Sequence, residues 1–251
     1  MVMSVNDVQY ATALREQYAG FVDQQNQQSS EFTAHLVLPG DAVGAEDAAI
    51  VLGEAFGGED PVFSHLQEVG GKSAPLKGIF EYLVTASIDH GGSPVVAYRD
   101  GVPVAASLYE LPGMRQESTA YTLRHGGPPT IATYGIRGAL RALSAVTDVD
   151  REIEAVKSSL SGPIIYLNYI GVRPDFRGTG AIHTVADPAL RLADSRMHLP
   201  VALVSSNRDN VDSFEKAGYK VVSETHYDKD RKGNRRGPIL DNMVRRPGQS
   251  R

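Results

Sequence analysis

Apolar residues recur along this chain in two rhythms, three-to-four-residue steps and near-continuous short runs, and these predict alternating helices and strands. Val8, Ala11, Leu14, Tyr18 and Phe21–Val22 keep helical spacing through an otherwise polar start, which predicts a narrow-faced helix. Its glutamine-rich end, Gln24 to Ser30, reads as a linker. Phe32–Leu38 predicts a strand closed by Pro39-Gly40, and Glu46–Phe56 and Pro75–Ile88 predict helices. Pro94–Arg99 and Val102–Leu111 flank Asp100-Gly101, a strong signal for a tight hairpin. Residues 112–130 are punctuated by glycine and proline and read as loop. Ile136, Leu140, Leu143, Val146, Val149, Ile153, Val156 and Leu160 then predict a long helix with this stripe inward and a break near Thr147-Asp148.

The central strand is expected to start after Ser161-Gly162-Pro163, and a helix carrying Ile182, Val185, Ala189, Leu192 and Ala193 follows it, bent by Pro188. Val201–Ser205 reads as a buried strand and Asn210–Lys216 as a short helix ended by Gly218. Tyr219–Tyr227 and Pro238–Arg245 close the chain as a hairpin, with the cations of Lys229 to Arg236 on its solvated loop. Strands and helices mixed in this order imply an α/β (α+β) chain with a twisted, mostly antiparallel sheet flanked by helices.

Residues 163–182 carry the chemistry. An apolar, β-branched run passes through Val172-Arg173-Pro174 into Arg177-Gly178-Thr179-Gly180-Ala181, where helical spacing begins. Such a turn delivers unpaired backbone N–H groups and a helix dipole to an anion, and Arg177 adds charge. A phosphate-bearing ligand follows. A Walker A loop is excluded, because Leu66 occupies the glycine position five residues before Gly71-Lys72-Ser73. A dinucleotide fingerprint is excluded too, because His183 stands where its third glycine belongs.

Val-x-Pro-x-x-Arg-Gly-x-Gly resembles motif A of the GCN5-related N-acetyltransferase family. Asn207 to Tyr219 resembles its motif B, at a distance from Gly180 that fits one helix and one strand. Weaker echoes lie at Ala55-Phe56 with Asp60-Pro61-Val62-Phe63, and at Gly237-Pro238 to Arg245. The likeness spans roughly residues 32–246. It implies a 32–251 acetyltransferase-like domain preceded by a 1–31 helical extension that packs on that domain or on a second subunit, leaving a homodimer open.

The resemblance implies an acetyl-CoA (or other acyl-CoA) site. Backbone groups of the Ile170-Gly171-Val172 stretch would pair with the pantetheine arm. Arg177, Gly178, Thr179, Gly180, Ala181 and Ile182 would hold the pyrophosphate, and Asn210 would cap its helix or touch the arm. Ile182 departs from the family's Gly or Ala and would crowd the phosphate. The family's base positions match Tyr166 and Asn168, which strict alternation puts on one face with Ile170 and Val172. Its usual thiolate acid is a tyrosine where Phe214 stands. Neither familiar proton handler is present. Glu110, His90, Tyr169, Tyr219 or Asp241 would then serve, or the amine arrives neutral, or the chain binds acyl-CoA without transferring to an amine.

The remaining composition narrows the classes. Net charge is −5, against a nucleic-acid partner. The chain has no cysteine, which removes disulfides, thiolate metal sites and cysteine nucleophiles. No metal-ligand spacing occurs among the 7 histidines. His90-Gly91-Gly92 and His125-Gly126-Gly127 lack a Gly-x-Ser-x-Gly elbow, so a hydrolase is excluded. No apolar stretch approaches the ~18 residues of a membrane span and no leader pattern opens the sequence, so a cytoplasmic protein is expected. The function expected is acetyl transfer to a small-molecule amine; O-acylation, decarboxylation and non-catalytic acyl-CoA binding are the alternatives.

Overall fold

The computed structural model describes residues 5–29, 31–58, 60–114, 119–160, 162–195, 197–229 and 234–248. Residues 230–233, the middle of the basic hairpin loop, lie outside them. A seven-stranded sheet in the order β1-β2-β3-β4-β5-β7-β6 organises the chain. Its strands are β1 (Thr33–Leu36), β2 (Val95–Arg99), β3 (Val102–Glu110), β4 (Ile165–Val172), β5 (Val201–Ser205), β6 (Lys220–Lys229) and β7 (Arg235–Arg245). Every neighbouring pair is antiparallel except β4 with β5. The expected hairpin forms at Asp100-Gly101, both at positive φ as a tight inter-strand turn demands.

One face of the sheet is covered by α1 (Val5–Gln28), α7 (Ala181–Asp194) and α8 (Arg208–Lys216). The other is covered by α2 (Ala42–Phe56), α3 (Pro61–Gly70), α4 (Lys77–Asp89) and the long α6 (Gly127–Ser159). Between α4 and α6, β3 leads to a single turn α5 (Thr119–Tyr121) and a π-helical turn Thr122–Gly126. None of the described helices is long and apolar enough to cross a membrane.

The additional N-terminal helix is present, and it enters the main core: Leu14, Tyr18 and Val22 pack with Val95, Tyr109 and Val185. Its glutamine-rich end is helix rather than linker. Gln25 is buried there, and Asn26 brackets the backbone of Ala34 by donating to its carbonyl at 2.9 Å and accepting its amide at 2.6 Å. Side-chain amides that satisfy a strand edge keep the last turns wound.

The segment 112–160 departs most from expectation. Helix begins well inside the anticipated loop, because Pro128 falls in the first turn, where its missing N–H costs nothing. The interruption falls at Gly135 (φ 71°, ψ 173°), not at Thr147-Asp148. That kink re-phases the helix. Ile136, Leu140 and Leu143 are 68%, 64% and 47% exposed, while Tyr134, Ala142 and Ala145 turn inward. Glycines make the crossing with α3 close: a Cβ on Gly70 would overlap the Tyr134 carbonyl, and one on Gly138 would sit 2.9 Å from the Leu66 carbonyl.

Candidate active site

The parallel ladder of β4 and β5 covers only Ile165–Leu167 against Val201–Leu203, after which the two strands separate. β4 continues to Val172, held by β3 alone, and β5 continues to Ser205, held by β7. A wedge five residues long opens, about 16 Å at strand rise. Arg173 donates its amide to the Val104 carbonyl on β3 at 2.9 Å, so alternation turns the backbone of Ile170 and Val172 into the wedge. Gly171 faces the other way, and its Cα packs so tightly on α2 that a Cβ would lie 2.5 Å from that of Ala55. Gly171 serves this packing and does not line the wedge.

At the end of the wedge, a 3-10 turn (Pro174–Phe176) leads into α7. Gly178 and Gly180 have φ of 77° and 87°, conformations that favour glycine, and a Cβ on either would meet nothing within 4 Å. Their amides and those of Ala181 and Ile182 take no backbone acceptor among the described residues, whereas Thr179 donates to Phe176 and His183 to Gly180. The turn therefore presents a row of free donors at a helix N-terminus, over open space, which fits a diphosphate. Arg177 turns its guanidinium to the Ala55 carbonyl at 3.2 Å, so it ties the turn to α2. Ile182 is half-buried and His183 exposed.

A bulge governs the closed end. Leu108 pairs with Tyr169 and Tyr109 with Leu167, which leaves Asn168 as the extra residue. The bulge reverses the alternation expected from sequence. Ile165, Leu167, Ile170 and Val172 pack on the α1/α7 side, while Tyr169 packs among the α2, α3 and α4 residues and Tyr166 beside Val156 of α6. Tyr166 and Asn168 thus do not share a face with Ile170 and Val172. Asn168 donates to Glu110 at 2.9 Å, Lys157 of α6 pairs with the same carboxylate at 3.4 Å, and its ammonium lies 4.7 Å over the Tyr166 ring. The structure therefore gathers Tyr166, Asn168 and Glu110 into one cluster with Lys157, which spacing alone did not indicate.

The motif B candidates fare differently. Asn207, not Asn210, caps α8, accepting the Asp209 amide at 2.9 Å; Asn210 sits in the first turn and is exposed. A cap must precede the helix, and α8 starts two residues earlier than its apolar spacing suggests. Phe214 packs edge-on to Tyr219 at 5.7 Å and against the core. Asp241 is buried on β7 near Arg208, and burial raises its carboxyl.

A second carboxylate stands at the open end of the wedge. Asp60 caps α3 through Oδ1, which accepts the amides of Val62 and Phe63 at 2.9 and 3.1 Å. Its Oδ2 accepts the hydroxyl of Ser206, the residue after β5, at 2.5 Å. Only 8% of Asp60 is exposed; burial raises its pKa, and the Ser206 hydroxyl and the two amides hold it partly back. Beside it, Phe56, Phe80 and Tyr169 pack with ring centroids 5.3–5.8 Å apart. Asp-Pro ahead of an apolar run is a helix-start signal, but nothing in sequence joins it to Ser206.

No family model matches the chain, and no curated protein matches it significantly. Solved structures do. A mosquito arylalkylamine N-acetyltransferase-like protein is 15% identical with a TM-score of 0.61, over 86% of this chain and 99% of that one. An apo agmatine N-acetyltransferase mutant is 16% identical with a TM-score of 0.59, over 86% and 100%. The C-terminal condensation domain of Ebony, in complex with beta-alanyl-dopamine, is 9% identical with a TM-score of 0.62, over 86% and 99%. The fold is that of the GCN5-related N-acetyltransferases. These likenesses span nearly the whole of each neighbour, so the sheet and its flanking helices correspond as a unit and not as an isolated motif.

Proposed function

We propose that this protein is an acyl-CoA-dependent N-acyltransferase that moves an acetyl group to a small-molecule primary amine. The carrying observation is the wedge between β4 and β5, whose open end carries free amides of α7 on the β4 side and a buried carboxylate, Asp60, bonded to Ser206 on the β5 side. Its fit to acetyl-CoA is chemical. An extended, amide-bearing arm pairs with the backbone of Ile170 and Val172, and the diphosphate meets the amides of Gly178, Gly180, Ala181 and Ile182. Bound there, acetyl-CoA supplies an activated acyl group as a thioester.

Asp60 is the proton acceptor in this reading. Its raised pKa brings it nearer to an amine's task than an exposed aspartate, and Ser206 links it to the end of β5. Glu110 is paired with Lys157 and Asn168, so it holds the bulge. The amine nitrogen bonds to the acyl carbon, the carbon–sulfur bond breaks, and the proton taken by Asp60 returns through solvent to the departing thiolate. The amines named for the arylalkylamine and agmatine neighbours support the acceptor class.

Thiol release from acetyl-CoA over an amine panel tests this directly, because a protein without cysteine gives no background with thiol reagents. Amine-dependent release with a matching N-acetyl product is expected. Binding of CoA without any acylated amine would overturn the transferase reading, and release from malonyl-CoA without an amine would point to decarboxylation.

A further inference from the structure

Beyond its kink, α6 carries exposed apolar residues in one line. Ile136, Leu140 and Leu143 fall at i, i+4 and i+7, the seam spacing of paired helices, and are 68%, 64% and 47% exposed. The helix cannot roll to bury them. Its opposite face is held by the close crossing of Gly138 on the Leu66 carbonyl of α3, and by Ala142 and Ala145 in the core. Arg141 adds a third hold, its Nε donating to the buried Asp228 of β6 at 2.6 Å. Three large side chains in a row leave an apolar patch of about 300 Å², a size that on a single chain is often functional. The same helix is charged unevenly along its length. From Gly127 to Thr147 it holds Arg137 and Arg141 and no acid. From Asp148 to Ser159 it holds Asp148, Asp150, Glu152 and Glu154 against Arg151 and Lys157. Asp228 engages Arg141, whereas Arg137 is exposed and has no ion-pair partner among the described residues.

We infer that this face joins two copies of the chain, α6 against α6, antiparallel across a two-fold axis. Antiparallel packing lays the cationic half of one helix along the anionic half of the other and opposes their dipoles; parallel packing would set like charge on like. Seating Leu140 against the copy's Leu143 makes two central leucine layers. It also brings Arg137 within about 3 Å, along the axis, of the copy's Asp148. A two-fold contact uses the same patch on both chains, so it closes at two. The apolar area is under half of the roughly 800 Å² per partner that a standard interface buries, so the polar flanks of the helix complete the contact and the dimer is of micromolar strength. An anionic membrane is the poorer occupant, because it repels a chain of net charge −5.

Sedimentation of the full chain from about 1 to 200 μM tests this. Wild type should pass from one chain toward two with a micromolar Kd. Leu140→Glu sets an unpaired carboxylate in both central layers and should raise that Kd at least about tenfold, with the thermal midpoint of the single chain unchanged. Arg137→Glu and Asp148→Lys should each weaken association by a few fold, and mixing the two should restore it, because each repulsive pair becomes an attractive one. Wild type that stays a single chain throughout would overturn the inference, and so would a dimer that Leu140→Glu leaves intact. A mixture no better than either charge variant would overturn the antiparallel arrangement. Single-chain wild type that floats with phosphatidylserine vesicles would give the face to a lipid instead. Should Leu140→Glu fail to fold, Ile136→Lys on the same line takes its place, with the same outcomes expected.

Discussion

Replacing Asp60 by Asn separates the two tasks of this side chain. As a helix cap, asparagine ranks with aspartate, so the bonds from the Val62 and Phe63 amides at 2.9 and 3.1 Å survive. The charge-assisted bond from Ser206 is lost, about 1.5–3 kcal/mol, but the desolvation that raises the carboxyl's pKa is relieved with it. The net change should stay within about 1 kcal/mol, or roughly 2–4 °C in Tm for a chain of this size. As a base, asparagine is useless, and kcat/KM should fall about 10²–10⁴-fold. Initial rates of thiol release between pH 4 and 9 give the decisive profile. Wild type should lose activity on an acid limb lying above the ordinary aspartate range, and that limb should vanish in the variant. Stability moves with the opposite sign. A carboxyl raised on folding contributes fully below its unfolded pKa and loses that contribution as pH rises through the folded one. Wild type should therefore lose ground to Asp60→Asn across that window. A variant that keeps kcat/KM within threefold of wild type, with the same acid limb, would remove Asp60 from the chemistry.

Gly180→Glu should abolish CoA binding by calorimetry, since it sets a carboxylate against the diphosphate; Gly180→Ala carries the same backbone strain, about 1–2 kcal/mol at φ 87°, without the charge, and should retain more affinity. Unchanged affinity in the glutamate variant would misplace the phosphate site. Gly70→Ala must push α6 off α3 at the Tyr134 carbonyl, an overpacking of about 1–3 kcal/mol, and thermal denaturation should show a fall of roughly 3–10 °C. Phe214→Tyr should leave turnover within twofold, because the ring packs edge-on to Tyr219; a marked gain would mean that protonation of the thiolate limits the rate.

What the sequence determined by itself was local. The Asp100-Gly101 hairpin, the strand running into the Arg177–Ala181 turn and the helix beyond it rest on conformational preferences that neighbouring residues set, and all three stand in the structure. The tertiary structure decided everything that needs two distant segments. The bulge at Asn168 exists because β3 and β4 pair out of step, and it swaps the face of every residue beyond it. The kink of α6 falls at Gly135, where α3 comes close, and so Ile136, Leu140 and Leu143 of the stripe that reads as core turn to solvent while Tyr134 turns in; Ile153, Val156 and Leu160, further along, pack inward as their spacing suggests. The carboxylate at the wedge became visible only when Ser206, 146 residues along the chain, closed on Asp60. Periodicity fixes which faces are apolar; only packing fixes what each face meets.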